Sequence, residues 1–110
     1  MISFSTTKPK TLLAAIKSAI DKGHITTWSY DSDGDFTHST NQWARKAWMR
    51  PRIAADEALR FNIVFPRDEI ADREIYAIYH GRFGEMMLAH FDSEFSRISA
   101  TAQLVSGDLG

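Results

Sequence analysis

The first apolar pattern in the chain has a helical period. Leu12, Leu13, Ile16 and Ile20 fall at i, i+1, i+4 and i+8, with Ala15 and Ala19 beside them, and so form one stripe. This predicts a helix over 8–22. Thr7 is the expected N-cap, Pro9 lies in the first turn where a missing N–H is harmless, and Gly23 suits the left-handed position after the last turn.

The period then shortens to two. The strand formers of 26–30 and 36–39 flank Asp33-Gly34, a two-residue turn signal that sets Tyr30 opposite Thr37 and Asp31 opposite Phe36. A helical turn is expected from Thr40. Ala47, Met49 and Ile53 then alternate with Trp48, Arg50 and Arg52, which predicts a strand, and Pro51 places that strand at an edge or a bulge. After the polar link 54–58, Leu59, Phe61, Ile63 and Phe65 alternate with Arg60, Asn62 and Val64 until Pro66. Residues 67–72 read as a loop.

Gly81 and Gly84 argue against one continuous helix in the next stretch. The expectation is a hairpin, 73–79 with 83–91, turning at His80-Gly81-Arg82. On it Tyr76, His80, Phe83 and Glu85 share a face, and His90 sits opposite Arg73. Phe95, Ile98 and Ala102, spaced i, i+3, i+7 after Asp92-Ser93, suggest a short helix over 93–103, although Ser96, Ser99 and Thr101 suit a strand equally. The tail 106–110 is expected to be loose.

These elements make a single α+β domain spanning 1–110. Its antiparallel sheet of about five to six strands is built from hairpins. One long N-terminal amphipathic helix packs on one face, with a short C-terminal helix beside it.

Composition narrows the class. The 110 residues include seven Phe, three Trp and three Tyr, ample core material for an ordered domain. There is no cysteine, which excludes disulfides and thiolate chemistry and suits a reducing, cytoplasmic setting. No apolar run approaches the roughly 20 residues of a membrane span, and Met1–Thr7 lacks the pattern of a secretory signal. No membrane partner is expected.

The net charge of −1 is a cancellation between blocks. Lys8, Lys10, Lys17 and Lys22 face only Asp21 in 1–23. Arg45, Lys46, Arg50 and Arg52 carry +4 in 43–52, with no acid among them. Acidic stretches lie on both sides, at Asp31, Asp33 and Asp35 and again in 53–74.

Candidate chemistry is sparse. Asp31-Ser32-Asp33-Gly34-Asp35 resembles a calcium loop, but the glycine falls at position 4 instead of 6 and Gln42 takes the place of the bidentate glutamate. A looser cation site there competes with an ordinary turn. His24, His38, His80 and His90 include no pair at metal-ligand spacing. No nucleophile elbow, phosphate loop or dinucleotide fingerprint occurs, and no cofactor is expected. His80 beside Glu85, with Arg82 at the turn, would suit acid–base work.

The segment 43–52 combines Trp43 and Trp48 with four cations. Trp48, Arg50 and Arg52 point outward together on the strand reading, and Arg60 extends the row. Exposed Trp beside Arg suits an interface anchor or a stacking platform for single-stranded nucleic acid.

Three functional readings follow. The first is a small non-catalytic interaction protein that binds a protein partner or itself through its sheet, using Trp43, Trp48, Arg50, Arg52, Tyr76 and Phe83. The second is a nucleic-acid-binding module centred on 43–52. The third is a small enzyme with acid–base groups on 76–85.

Overall fold

The structure, a computed structural model, describes residues 1–109. The order of elements is β1 (Ile2–Ser5), α1 (Pro9–Asp21), β2 (Trp28–Tyr30), β3 (Phe36–His38), β4 (Trp48–Ala54), β5 (Ala58–Val64), α2 (Arg73–Phe91) and β6 (Arg97–Ala100). Six strands form one antiparallel sheet in the order β2-β3-β4-β5-β1-β6. The fold class is therefore α+β, but the longer helix is the second one.

α1 begins at Pro9, with Lys8 rather than Thr7 at the cap. The Thr6 hydroxyl accepts the Lys8 N–H. At the other end Gly23 has φ +76°, its N–H reaches Ile20 O, and the His24 N–H reaches Ala19 O. That paired closure satisfies two carbonyls that the helix end would otherwise orphan. Leu12 and Ile16 are the fully buried members of the stripe.

The β2–β3 turn differs from expectation by one residue. Tyr30 pairs with Phe36 and Ser29 with Thr37. The Asp31 carboxylate accepts the N–H groups of Asp33 and Asp35, the Asp31 carbonyl accepts the Gly34 N–H, and only Gly34 takes positive φ, +85°. This is the longer turn in which one left-handed glycine follows an ordinary bend. The one-residue shift turns Phe36 inward, because neighbouring strand positions face opposite ways.

β4 is not an edge strand, since it lies between β3 and β5. Pro51 is tolerated because β3 pairs with β4 only at Phe36↔Met49. Beyond that point the outer side of β4 has no partner strand, and no ladder bond is lost there.

The segment 73–91 is one helix, not a hairpin. Asp72 caps it by accepting the N–H groups of Glu74 and Ile75. The same side of α2 buries Tyr79, His80, Phe83, Met86, Met87 and Phe91. Gly81 and Gly84 are carried inside the helix, and Gly84 lies against Ile2. Residues 97–100, which suited a strand as well as a short helix, form β6 against β1, and Ile2–Ser5 supplies a strand that the chain's pattern does not indicate. Two expected strands are thus one helix, and β1 and β6 bring the sheet to six.

One face of the sheet carries the core. Phe4, Leu59, Phe61, Ile63 and Met49 point to the side where Leu12, Ile16, Phe83 and Met87 pack. The opposite face carries Trp48, Arg50, Arg52, Arg60 and Asn62. The expected loose tail is docked on it. Asp108 accepts bonds from the Asn62 amide, the Ile63 and Val105 N–H groups and the Met1 nitrogen, while Leu109 bonds Ile63 and Phe65 through its backbone. Gly110, the last residue of that tail, lies outside the described residues.

Candidate functional site

Candidate residues gather in three places. The first is the open sheet face. Antiparallel register sets Trp48 opposite Val64, Arg50 opposite Asn62 and Arg52 opposite Arg60. Asp35 grips Arg50 through both carboxylate oxygens, with contacts of 3.1 to 3.3 Å. Arg60 pairs with Asp56 at 2.6 Å. Arg52 is exposed and has no ion pair among the described residues. The turn 31–35 therefore neutralises part of the basic strand, whereas the acidic stretch 67–74 makes no ion pair with it. Trp43 is not part of this face. It packs against the core cluster, and its carbonyl accepts the Tyr79 hydroxyl.

Asp31, Asp33 and Asp35 do not converge on one another. Asp31 caps its own turn and Asp35 faces Arg50. Among the described residues no group of three or more His, Asp or Glu side chains is placed to hold a metal ion.

The second place is a cleft between α2 and the β2–β3 hairpin. Thr27, Trp28, His38, Arg82, Glu85 and His90 line it. It brings together two sequence runs, 28–37 with its flank and 80–91, that are far apart in the chain. His38 is buried, and its Nδ1 accepts the Thr40 N–H while sitting 2.9 Å from the Thr40 hydroxyl. Burial, reinforced by Arg82 and opposed by Glu85, holds its pKa below the usual histidine value. The cleft encloses about 130 Å³, which is small beside the roughly 300–1,000 Å³ typical of ligand pockets.

The expected neighbours His80 and Glu85 both line a groove between α2 and β6, and Glu85, with Arg82, also borders the cleft at His38. Phe83 and Tyr76 are not surface anchors. Phe83 is fully buried, and the Tyr76 hydroxyl is held by Thr101 and Gln103.

The third place was not foreseen. A shallow, mostly apolar groove runs between α2 and β6, lined by Ile2, His80, Glu85, Leu88, Ile98 and Ala100 among others. Leu88 is 56 % exposed. His80 forms part of the lining although only 7 % of it is exposed. Its Nδ1 lies 2.7 Å from the Tyr76 carbonyl, so Nδ1 carries the proton and Nε2 remains an acceptor without a partner among the described residues. Burial pushes its pKa down to about 4. Beside the groove, β6 is the last strand of the sheet. The Thr101 N–H bonds Met1 O, so by alternation the N–H and C=O of Ile98 and Ala100 point away from β1. The helical signal that would have revealed this arrangement is the spacing of Tyr76, His80, Phe83 and Met87.

No family model, no curated protein and no solved structure matches this chain.

Proposed function

We propose that this chain is a small interaction protein that pairs with a second copy of itself along the free edge of β6. The observation that carries this reading is the conjunction of an unpaired strand edge with an exposed apolar groove on the same side of the sheet. An uncovered edge offers ready backbone pairing, and natural edges are normally blunted by Lys, Pro or a covering element. β6 reads Arg-Ile-Ser-Ala and carries a single charge.

The occupant is a second copy on two grounds. Antiparallel pairing of β6 with itself is isologous, so each copy supplies what the other needs. The charges also match. α2 runs antiparallel to β6, so a two-fold axis beside Ser99 brings the exposed acidic corner Asp92–Glu94 of one copy level with the exposed Arg73 of the other. Leu88 of each copy then turns toward the groove floor of its partner, at Ile98 and Ala100.

Leu88→Asp tests this. The side chain is exposed in the single chain, so the substitution leaves the fold intact while placing a carboxylate in the apolar contact. Light scattering after size exclusion is expected to show a dimer for the unmodified chain and a monomer for the variant. The same mass for both would remove β6 and its groove from the interface.

A further inference from the structure

We infer that the open sheet face, independently of the β6 edge, binds the phosphodiester backbone of single-stranded nucleic acid, with Arg52 and Arg60 clasping one phosphate between them. Register places these two arginines directly opposite each other on β4 and β5. Directly opposed residues have Cα atoms roughly 4.5–5.5 Å apart, and like charges in that position destabilise a sheet. Nothing in the fold relieves Arg52, which has no ion pair among the described residues. Arg60 uses one nitrogen on Asp56, and its Nε is buried with no hydrogen-bond partner among the described residues. Two guanidinium groups at this spacing match the oxygens of one phosphate through their outer N–H donors.

The neighbouring positions extend the site. Ser3 and Ser99 continue the Arg52–Arg60 row across β1 and β6. Arg97 lies on the same face two residues from Ser99 and is exposed, without an ion pair among the described residues. At about 4.8 Å per strand and about 3.4 Å per residue, it stands roughly 12 Å from Arg60, where a second phosphate would pass. Trp48, partly exposed on this face of β4, supplies an aromatic surface for a base. Away from the 105–109 segment docked at Asn62, this face is bare sheet with no helix across it among the described residues, which favours a single strand over a duplex whose groove needs a projecting element. Arg50 contributes less, because Asp35 already occupies it.

Fluorescence anisotropy with labelled oligo(dT) and oligo(rU) tests the inference on the full chain. Two phosphate contacts predict a log–log salt slope of about −1.4, a loss of about sevenfold in affinity between about 50 and 200 mM salt. Arg52→Ala, an exposed substitution whose fold is checked by circular dichroism, is expected to halve that slope to about −0.7. Arg82→Ala, on the helix side of the molecule, is expected to leave it unchanged. An abasic deoxyribose-phosphate chain of equal length is expected to bind with the same salt slope as oligo(dT), since it keeps every phosphate. Absence of binding at low salt, a slope unmoved by Arg52→Ala, or no binding of the abasic chain would each overturn the inference.

Discussion

Trp28 meets Phe83 edge to face, with ring centroids 4.9 Å apart and planes at 90°. The pair joins the β2 edge of the sheet to the middle of α2, and Phe83 also contacts Phe4, Phe36 and Phe61. It is the junction of the aromatic core. Phe83→Ala removes a fully buried ring and is expected to cost about 3–5 kcal/mol. Phe83→Leu fills more of the space and should cost clearly less. Urea unfolding of both variants checks the order, and equal stability of all three proteins would contradict the central place given to this ring.

Glu57 carries positive φ, 60°, at the β4–β5 turn. A side chain there costs roughly 1–2 kcal/mol that glycine avoids, less the extra entropy glycine has when unfolded. Glu57→Gly is expected to raise stability by about 0.5–1 kcal/mol, which corresponds to a few degrees in melting temperature for a domain of this size. The Thr6 N–H bond to the Glu57 carbonyl involves backbone only and survives the change. An unchanged or lowered melting temperature would mean that the carboxylate contributes something the turn geometry does not show.

His80 makes folding sensitive to mild acid. Its folded pKa, about 4, lies below the unfolded value of 6.5. Between those values the unfolded chain binds more protons, so stability is full above about pH 6.5 and declines as pH falls toward 4. The slope reaches at most about 1.4 kcal/mol per pH unit. His38, shifted the same way, adds to it. Asp108 acts lower. Burial alone would raise its pKa, but the Val105 N–H, the Asn62 amide and the Met1 ammonium hold it below the ordinary carboxylate value. Its contribution is therefore present above pH 4 and lost below it. Urea midpoints at pH 7.5 and pH 5 are expected to differ, and His80→Leu should reduce the difference while removing the unpartnered Nε2. Equal midpoints for the unmodified protein at the two pH values would contradict the buried, neutral state of His80.

How far the pattern of residues revealed this architecture depended on how one-sided each element is. α1 and the β4–β5 hairpin were legible because each has a single apolar face: Leu12, Ile16 and Ile20 on one, Leu59, Phe61 and Ile63 on the other. α2 was not. Ile78 and Leu88 lie away from its buried side, so apolar residues surround it and the 3.6-residue period is blurred. Gly81 and Gly84 then imitate turn residues, although packing of Gly84 against Ile2 is what makes glycine useful there. β1 and β6 have four residues each, too short for periodicity to separate strand from helix. Within the candidate surfaces, the outward row Trp48, Arg50, Arg52 and Arg60 was legible from alternation alone. The pairing of Arg50 with Asp35, the cleft at His38 and the groove at His80 were not, because each depends on contacts between distant parts of the chain.

The interaction account rests most directly on the mass of the unmodified chain in solution. Sedimentation equilibrium across the micromolar range is the measurement that tests it. The account predicts a concentration-dependent shift from the 12.5 kDa chain to a species of twice that mass. A single 12.5 kDa species at every concentration would contradict it.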